Sequence, residues 1–526
     1  MNKMKIIIII LSVIVLLIAM FFIVRIIKRR PSNPLNQDTL QPSMEFKGNS
    51  RFALDQFYPS SDFLRLIEEL DNMLVEWGGG ALSVWAVMEP NAPVNGVSTY
   101  RKPSDIGPGA IKSFEDLKNS NKRVSAHLEF LRNDWAMEVD KDIMVTSPET
   151  GEKTPGFVRI KPEYHQTWKN FIKYYIATIP HLEYLQIDNE PENVWVNGEG
   201  YVEAVELAYG AVQEYNLENG TDIKVMVAGL NLPPNTIAAT PEYIKTYMYE
   251  NFPNIDEAWL RKELDIPDSI TSKIIEHRSQ KIHVILSILN QSKPPFDIVS
   301  IHNDQIRSAA DAEIAISWYK NIMEKNGYEK PIWIDDMHTS YMPVTQGAKA
   351  TAEDIKLFEG LNKADPSAIA SYYKEQPTWM VRKSVWNFAA GAKTEKLASF
   401  SDVPQYFMPE WRYTGLFTYG TLKPKPAYYT AKILMNKIDY FETATKLQGD
   451  VYKFTFANKP DVYVVWSEAG NQNLDLTDEL GNTNVKVTFL VNEVDAQYKA
   501  VVRNSITTPS NQIPLTGEPV FIEEIK

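Results

Sequence analysis

From Arg51 onward the chain alternates short apolar runs with stretches in which apolar residues recur every three or four positions. The runs Phe52–Phe57, Ala81–Met88, Val124–Phe130, Tyr184–Ile187, Lys224–Gly229, Phe296–Ile301, Pro331–Ile334 and Lys383–Phe388 predict eight strands. Between them, Ser61–Glu76, Pro162–Thr178, Tyr201–Tyr215, Ser269–Leu289 and Ala309–Lys325 carry helical spacing; in the first of these Phe63, Leu64, Leu66, Ile67, Leu70 and Leu74 recur at that spacing. The strands read as continuous apolar runs rather than alternating ones, as parallel strands covered on both faces require. Eight strand–helix steps over residues 51–439 predict an α/β fold, a (β/α)8 TIM barrel. Two connections, Glu89–Lys122 and Asn231–Asp265, are long enough to wall a cleft over its active end.

After Tyr440 the pattern changes. Val451–Phe456, Val462–Trp466, Leu474–Leu476, Val485–Val491 and Pro519–Ile522 are short runs separated by turn residues. That spacing predicts a small C-terminal all-β sandwich over residues 440–526. At the other end, Ile6–Val24 is broken in polarity only by Ser12 and is followed by Arg25, Lys28, Arg29 and Arg30. The run is long enough for one N-terminal transmembrane helix, and no small-residue cleavage site follows it. Residues 1–30 are therefore expected to be a signal anchor. Residues 31–50, rich in Pro, Ser, Asn and Gln, have the composition of a linker.

Composition narrows the chemistry. The chain has 526 residues, 44% hydrophobic and 23% charged, with a net charge of −13. Without a basic block in the body, nucleic acid is not an expected partner. There is no cysteine, which removes disulfides, thiol catalysis and thiolate metal sites. No Gly-x-Gly-x-x-Gly follows a strand, and no His-Glu-x-x-His or Gly-x-Ser-x-Gly occurs, so no cofactor, metal or serine nucleophile is expected.

What remains is carboxylates at strand ends. Tyr184–Ile187 stops abruptly in Asp188-Asn189-Glu190-Pro191, because proline cannot continue a central strand. Lys330-Pro-Ile-Trp-Ile breaks in the same way into Asp335-Asp336. Two carboxyl groups flanking one bond are what glycoside hydrolysis needs, one holding a proton and the other ionised. Trp85, Trp135, Trp195, Trp411 and Tyr413 are candidate outer walls of such a site, since aromatic faces suit the apolar faces of sugars.

In these features the chain resembles the clan A glycoside hydrolases. Asn189-Glu190-Pro191 matches their fourth-strand motif and the 330–336 run their seventh. Asp297-Ile-Val-Ser-Ile-His302-Asn303 matches their sixth strand, Val385-Trp386-Asn387 their eighth, and Thr414-Gly-Leu-Phe417 with Lys423-Pro-Lys-Pro-Ala-Tyr-Tyr429 their closing segment. The resemblance implies that Glu190 is general acid and then base, that Asn189 bonds the sugar's 2-hydroxyl, that His302 lies near the nucleophile, and that Trp386 stacks under the sugar. It implies a carbohydrate partner and a body outside the cytoplasm, held to the membrane through the N-terminal helix. One position departs from the pattern: the seventh strand of these enzymes ends in Glu, and here Asp336 stands there. Aspartate is shorter by one methylene, about 1.5 Å of reach. Three outcomes are open: Asp336 still attacks, the wider gap admits a water and gives inversion, or the protein is a catalytically degenerate carbohydrate binder. Alternation along an ideal strand would point Asp335 away if Asp336 points in.

Overall fold

The structure, a computed structural model, describes residues 50–54, 74–77, 84–102, 105, 108–120, 122–128, 133–146, 153–196, 198–231, 284–302, 306, 308–338, 352–403 and 412–525. The expected membrane helix and linker lie outside these residues, as do most of the 231–265 connection and Trp411. No described helix is long and apolar enough to cross a membrane.

Eight parallel strands close into a barrel. In chain order they are β1 (Phe52–Leu54), β2 (Leu74–Trp77), β3 (Val124–Leu128), β6 (Leu182–Ile187), β7 (Lys224–Asn231), β8 (Ile298–His302), β9 (Ile332–His338) and β10 (Thr394–Ala398). The ring runs β1-β10-β9-β8-β7-β6-β3-β2. The numbering skips β4 (Met137–Thr146) and β5 (Lys153–Ile160), an antiparallel hairpin inserted after β3. Helices α1 (Trp85–Met88), α2 (Pro108–Asn119), α3 (His165–Thr178), α4 (Gly198–Asn219), α5 (Ala309–Lys325), α6 (Ala352–Asn362), α7 (Pro366–Ala390) and α8 (Pro426–Ile438) complete the described helical elements used below.

Each strand sends alternate residues to opposite sides. Phe52, Leu54, Val75, Leu185, Ile187, Val299, Ile332, Ile334 and Leu397 join the large core beneath the helices. Ala53, Leu74, Tyr184, Met226, Ile298 and Trp333 form a separate apolar layer, one residue from each of six strands, which plugs the barrel interior. Above that plug the inward positions turn polar: Glu76, Ser125, His127, Gln186, Ser300, His302, Asp335 and Lys396 are all buried. The strict alternation on which the expectation for Asp335 and Asp336 rests is interrupted here. Ile334 pairs with Glu395 and Met337 with Leu397, so two residues of β9 oppose the single residue Lys396 of β10. This β-bulge breaks strict alternation at the strand tip, and Ile334 and Met337, three positions apart, both face the helix-side core.

Two expected strands are corrected. The run Lys383–Phe388 is not the eighth strand; it lies inside α7, a helix of 25 residues that starts with the Asp365 side chain accepting from the Ser367 amide and ends at Gly391 in the left-handed region. A short apolar run cannot be told from a buried helix face by periodicity alone. The closing strand is β10, whose Thr-Glu-Lys-Leu-Ala sequence is too polar to read as buried. Likewise Leu74–Trp77, expected to end a helix, is β2, and the described part of the expected strand Ala81–Met88 holds the one-turn helix α1.

After α8 comes the β-rich part: β11 (Thr443–Lys446), β12 (Val451–Thr455), β13 (Val462–Val465), β14 (Gln472–Leu474), β15 (Asn484–Phe489), β16 (Ile506–Pro509), β17 (Ile513–Leu515) and β18 (Val520–Glu524). Six of these form one antiparallel sheet in the order β11-β12-β13-β18-β15-β16, and β14 pairs with β17. One face of the sheet, with Val451, Val465, Val485, Val487 and Ile522, packs on the β14–β17 pair through Ile513 and Leu515. Its other face, with Tyr452, Phe454, Val462, Val464 and Phe521, merges with the barrel core. The Arg382 guanidinium of α7 sits between Trp379 and Trp466, at 5.3 and 5.4 Å from the ring centres, and donates to the Gly517 carbonyl at 2.8 Å.

Glu395 faces outward from β10 into α7, fully buried, where it accepts from Ser384 Oγ and Asn387 Nδ2. Burial outweighs these donors and pushes its carboxyl up from 4.5 to about 7. The sign follows from linkage: between pH 4.5 and 7 the unfolded chain ionises this group while the folded chain keeps its proton, so stability falls across that window and is flat above it. The total loss is on the order of 3 kcal/mol. Chemical denaturation from pH 4.5 to 8 is expected to show this decline in the wild type, and Glu395→Gln is expected to remove that component of the slope; an unchanged slope in the variant would refute the assignment.

Candidate active site

The site is built on the end of β6. Tyr184 and Gln186 point into the barrel, and the strand then turns sharply: Asp188 has φ 71° and Glu190 φ 44°, both in the left-handed region. Such conformations cost non-glycine residues about 1–3 kcal/mol each and persist only when surroundings over-determine them. Here they do. The Asp188 carboxylate, fully buried, accepts the Asn189 amide at 2.9 Å and the Trp195 indole N–H at 2.8 Å. Pro191 opens a 3-10 turn over Pro191–Asn193, and the Trp195 amide donates to the Pro191 carbonyl at 2.9 Å. The inserted hairpin braces the far end of the loop: Phe157 of β5 accepts from the Val196 amide at 2.8 Å and donates to the Val194 carbonyl at 2.9 Å.

The Glu190 carboxyl is thereby held at the barrel mouth with 13% of its side chain exposed. Its Oε2 accepts from Asn193 Nδ2 at 2.7 Å, and its Oε1 lies 3.0 Å from His302 Nδ1. His302 ends β8, and its opposite ring edge lies against Gly229 of β7; a Cβ on Gly229 would sit 1.9 Å from Nε2. Glycine is required there by close approach rather than by backbone angle.

Beneath this pair runs a buried charge network. Lys396 Nζ lies 2.6 Å from Asp335 Oδ1 and 2.7 Å from Glu76 Oε1. Glu76 Oε1 is also 3.3 Å from His127 Nδ1. Burial alone would raise the Asp335 pKa, but the Lys396 charge, with His302 and His127 adding to it, holds the carboxyl below its ordinary value. Burial likewise opposes the Lys396 ammonium, and the Asp335 and Glu76 charges together hold its pKa above the ordinary lysine value. Among the described residues no group of three or more His, Asp and Glu side chains is arranged to hold a metal ion.

The expected site residues fall into three groups. Glu190, Asn189 and His302 come together at the mouth, Asn189 half-buried beside Glu190. Asp336 lies in the bulged tip of β9, and its side chain falls outside the described residues. The described tryptophans expected at the site, Trp85, Trp135, Trp195 and Trp386, each make packing contacts. Trp386 is corrected from a strand end to α7, where it is buried 6.0 Å from Trp466 between barrel and sheet. Trp195 is buried as the donor to Asp188, a strut of the loop. Trp135 packs edge-on against Trp85 and Tyr164 at the base of the hairpin, Trp85 is buried with its N–H on Glu89, and Tyr413 is buried beside Tyr372. Sequence reasoning missed Glu76, Lys396 and Gly229. A lysine inside a short strand-like run was the one available signal.

No protein-family model and no curated protein sequence matches the chain. Among solved structures, a conserved exported protein from Bacteroides fragilis is similar at TM-score 0.52 and 10% identity, over 91% of this chain and 97% of that one. A family 39 glycoside hydrolase from Bacteroides cellulosilyticus follows at 0.49 and 12%, over 90% and 81%. The catalytic domain of GH30 xylanase C from Talaromyces cellulolyticus is similar at 0.46 and 11%, over 91% and 97%. Families 39 and 30 are clan A barrel glycosidases. At such identities the likeness concerns the fold alone, a (β/α)8 barrel with a β-rich part.

Gly229→Ala is expected to drive His302 off Glu190, because the added methyl overlaps the imidazole. Overpacking of this kind costs about 1–3 kcal/mol. Thermal unfolding together with the imidazole NMR signals of His302 checks this; a variant with unaltered stability and unaltered His302 signals would exclude the close approach.

Proposed function

We propose that this protein is a glycoside hydrolase with a two-carboxylate, retaining mechanism. The observation that carries the reading is the Glu190 carboxyl, held at the end of a barrel strand by a strained turn and set between Asn193 and His302. A carboxyl fixed at a barrel mouth, partly open to solvent and in contact with a titratable imidazole, suits a group that gives and takes a proton. In this reading Glu190 protonates the leaving oxygen while Asp336, at the tip of β9, attacks the anomeric carbon. Glu190 then takes a proton from the water that releases the sugar. Asn189 and His302 hold the sugar and the carboxylates in line.

A second reading, a carbohydrate binder that has lost catalysis, is favoured by one observation: the shorter Asp336 stands where the seventh strand of the enzymes this chain resembles ends in Glu. The two readings separate in one experiment. Full-length protein is assayed on a panel of aryl glycosides beside Glu190→Gln and Asp336→Asn. Loss of about a hundredfold or more in both variants is expected, the scale of general acid–base catalysis alone. Activity surviving both substitutions would refute the two-carboxylate assignment. Oligosaccharide binding without turnover in the wild type would establish the binder instead.

The same reading has the body acting outside the cytoplasm, tethered by the apolar run Ile6–Val24, whose hydropathy in the sequence supports it. Protease added to intact cells is expected to remove the body, and full protection would overturn this localisation.

A further inference from the structure

The bulge in β9 and the buried lysine opposite it belong together. Strand β10 contributes one residue, Lys396, where β9 contributes two, Asp335 and Asp336. A bulge leaves one residue outside the ladder, so the local backbone depends on side-chain contacts for its position. The contact here is a 2.6 Å ion pair from Lys396 Nζ to Asp335 Oδ1, and both side chains are buried, at 0% and 6% exposure. Lys396 is in turn held on its other flank by Glu76 of β2, the strand beyond β1, at 2.7 Å. The ammonium is therefore tied within the barrel interior to two strands, β9 on one side and β2 on the other, from β10.

Lysine is also the residue that this place demands. Two carboxylates and no cation would leave uncompensated charge inside the barrel, where a buried charge needs a partner. The cation has no exposed surface, so it cannot touch a sugar. Its action on the site must pass through the strand tip that it holds. An aspartate in the nucleophile place has about 1.5 Å less reach than a glutamate, which makes the backbone position at 335–336 decisive for whether attack can occur.

We propose that Lys396 is a positioning residue: by clamping Asp335 against Glu76 it locks the β9 bulge and so sets the place from which Asp336 acts. The inference rests on the two-carboxylate reading, with Asp336 as the second carboxylate. Misplacement of a reacting group by about 1 Å costs on the order of a hundredfold in rate. Lys396→Met in the full-length protein is therefore expected to lower kcat on the best aryl glycoside about a hundredfold with KM changed by no more than a few-fold. Lys396→Arg, which keeps the charge, is expected to recover part of that loss. Asp335→Asn breaks the same ion pair while leaving Lys396 compensated by Glu76, and serves as the second variant if Lys396→Met does not fold; it is expected to show the same split between kcat and KM. Either folded variant with wild-type kcat would overturn the proposal. If the wild type hydrolyses no glycoside, the functional reading has failed, and the clamp is judged by amide deuterium exchange. Faster exchange confined to 332–338 in Asp335→Asn then supports the clamp, and unchanged exchange there refutes it.

Discussion

The arrangement depends on charge balance inside a closed space. A barrel of eight short strands has an interior that must be filled, and the lower layer does this with Ala53, Leu74, Tyr184, Met226, Ile298 and Trp333. The upper layer is polar, and polar groups removed from water must find partners among themselves. Two carboxylates, Glu76 and Asp335, share one ammonium, and two imidazoles lie beside them. Without Lys396 the layer would hold the Glu76 and Asp335 carboxylates with no ammonium between them. With it, Asp335 stays ionised and bound, and its negative charge is answered within the barrel before it reaches the mouth.

A second constraint is geometric. Glu190 and Asp188 both adopt left-handed backbone angles that their side chains disfavour, and the surrounding loop is built to hold them there. Asp188 is satisfied by an amide and an indole, Pro191 starts the next turn, and a hairpin strand pairs with residues 194–196. Local rules broken with this much support point to function, because a plain connection would relax to an ordinary turn. The close approach of His302 to Gly229 has the same character: a bare backbone on β7 admits an imidazole edge so that Nδ1 can reach Glu190.

Those constraints explain what could be read from the sequence. Strands β3, β6, β7, β8 and β9 are bounded by proline, glycine or a sudden carboxylate, so both their existence and the direction of their tips were legible, and α5 spans Ala309–Lys325 as expected. Strands β2 and β10 were not. Both are short, and both place a charged residue inward, Glu76 and Lys396, so neither reads as a buried run. The apolar segment around Trp386 then looked like the better eighth strand, although its hydrophobicity serves the joint between α7 and the C-terminal sheet. The bulge in β9 lies deeper still: it is a property of pairing with β10, and a strand whose partner is not recognised cannot show its register.

Two of the three unrecognised site residues, Glu76 and Lys396, thus lie on the two unrecognised strands. An ion pair such as Lys396 with Asp335 has a sequence separation of sixty-one positions and draws on a third group three hundred and twenty positions away in Glu76. Neither partner shows periodicity, and each in isolation contradicts the strand that carries it. Buried charge breaks the hydrophobic pattern by which strands are recognised, and it does so where barrel enzymes concentrate their chemistry. Reading apolar pattern alone therefore finds the strands that end in exposed carboxylates and misses those whose charge points into the barrel. For this chain a lysine at the centre of a short run after a helix-ending glycine, as in Gly391-Ala-Lys-Thr-Glu-Lys-Leu-Ala, is better weighed as an inward cation seeking carboxylates than as evidence against a strand.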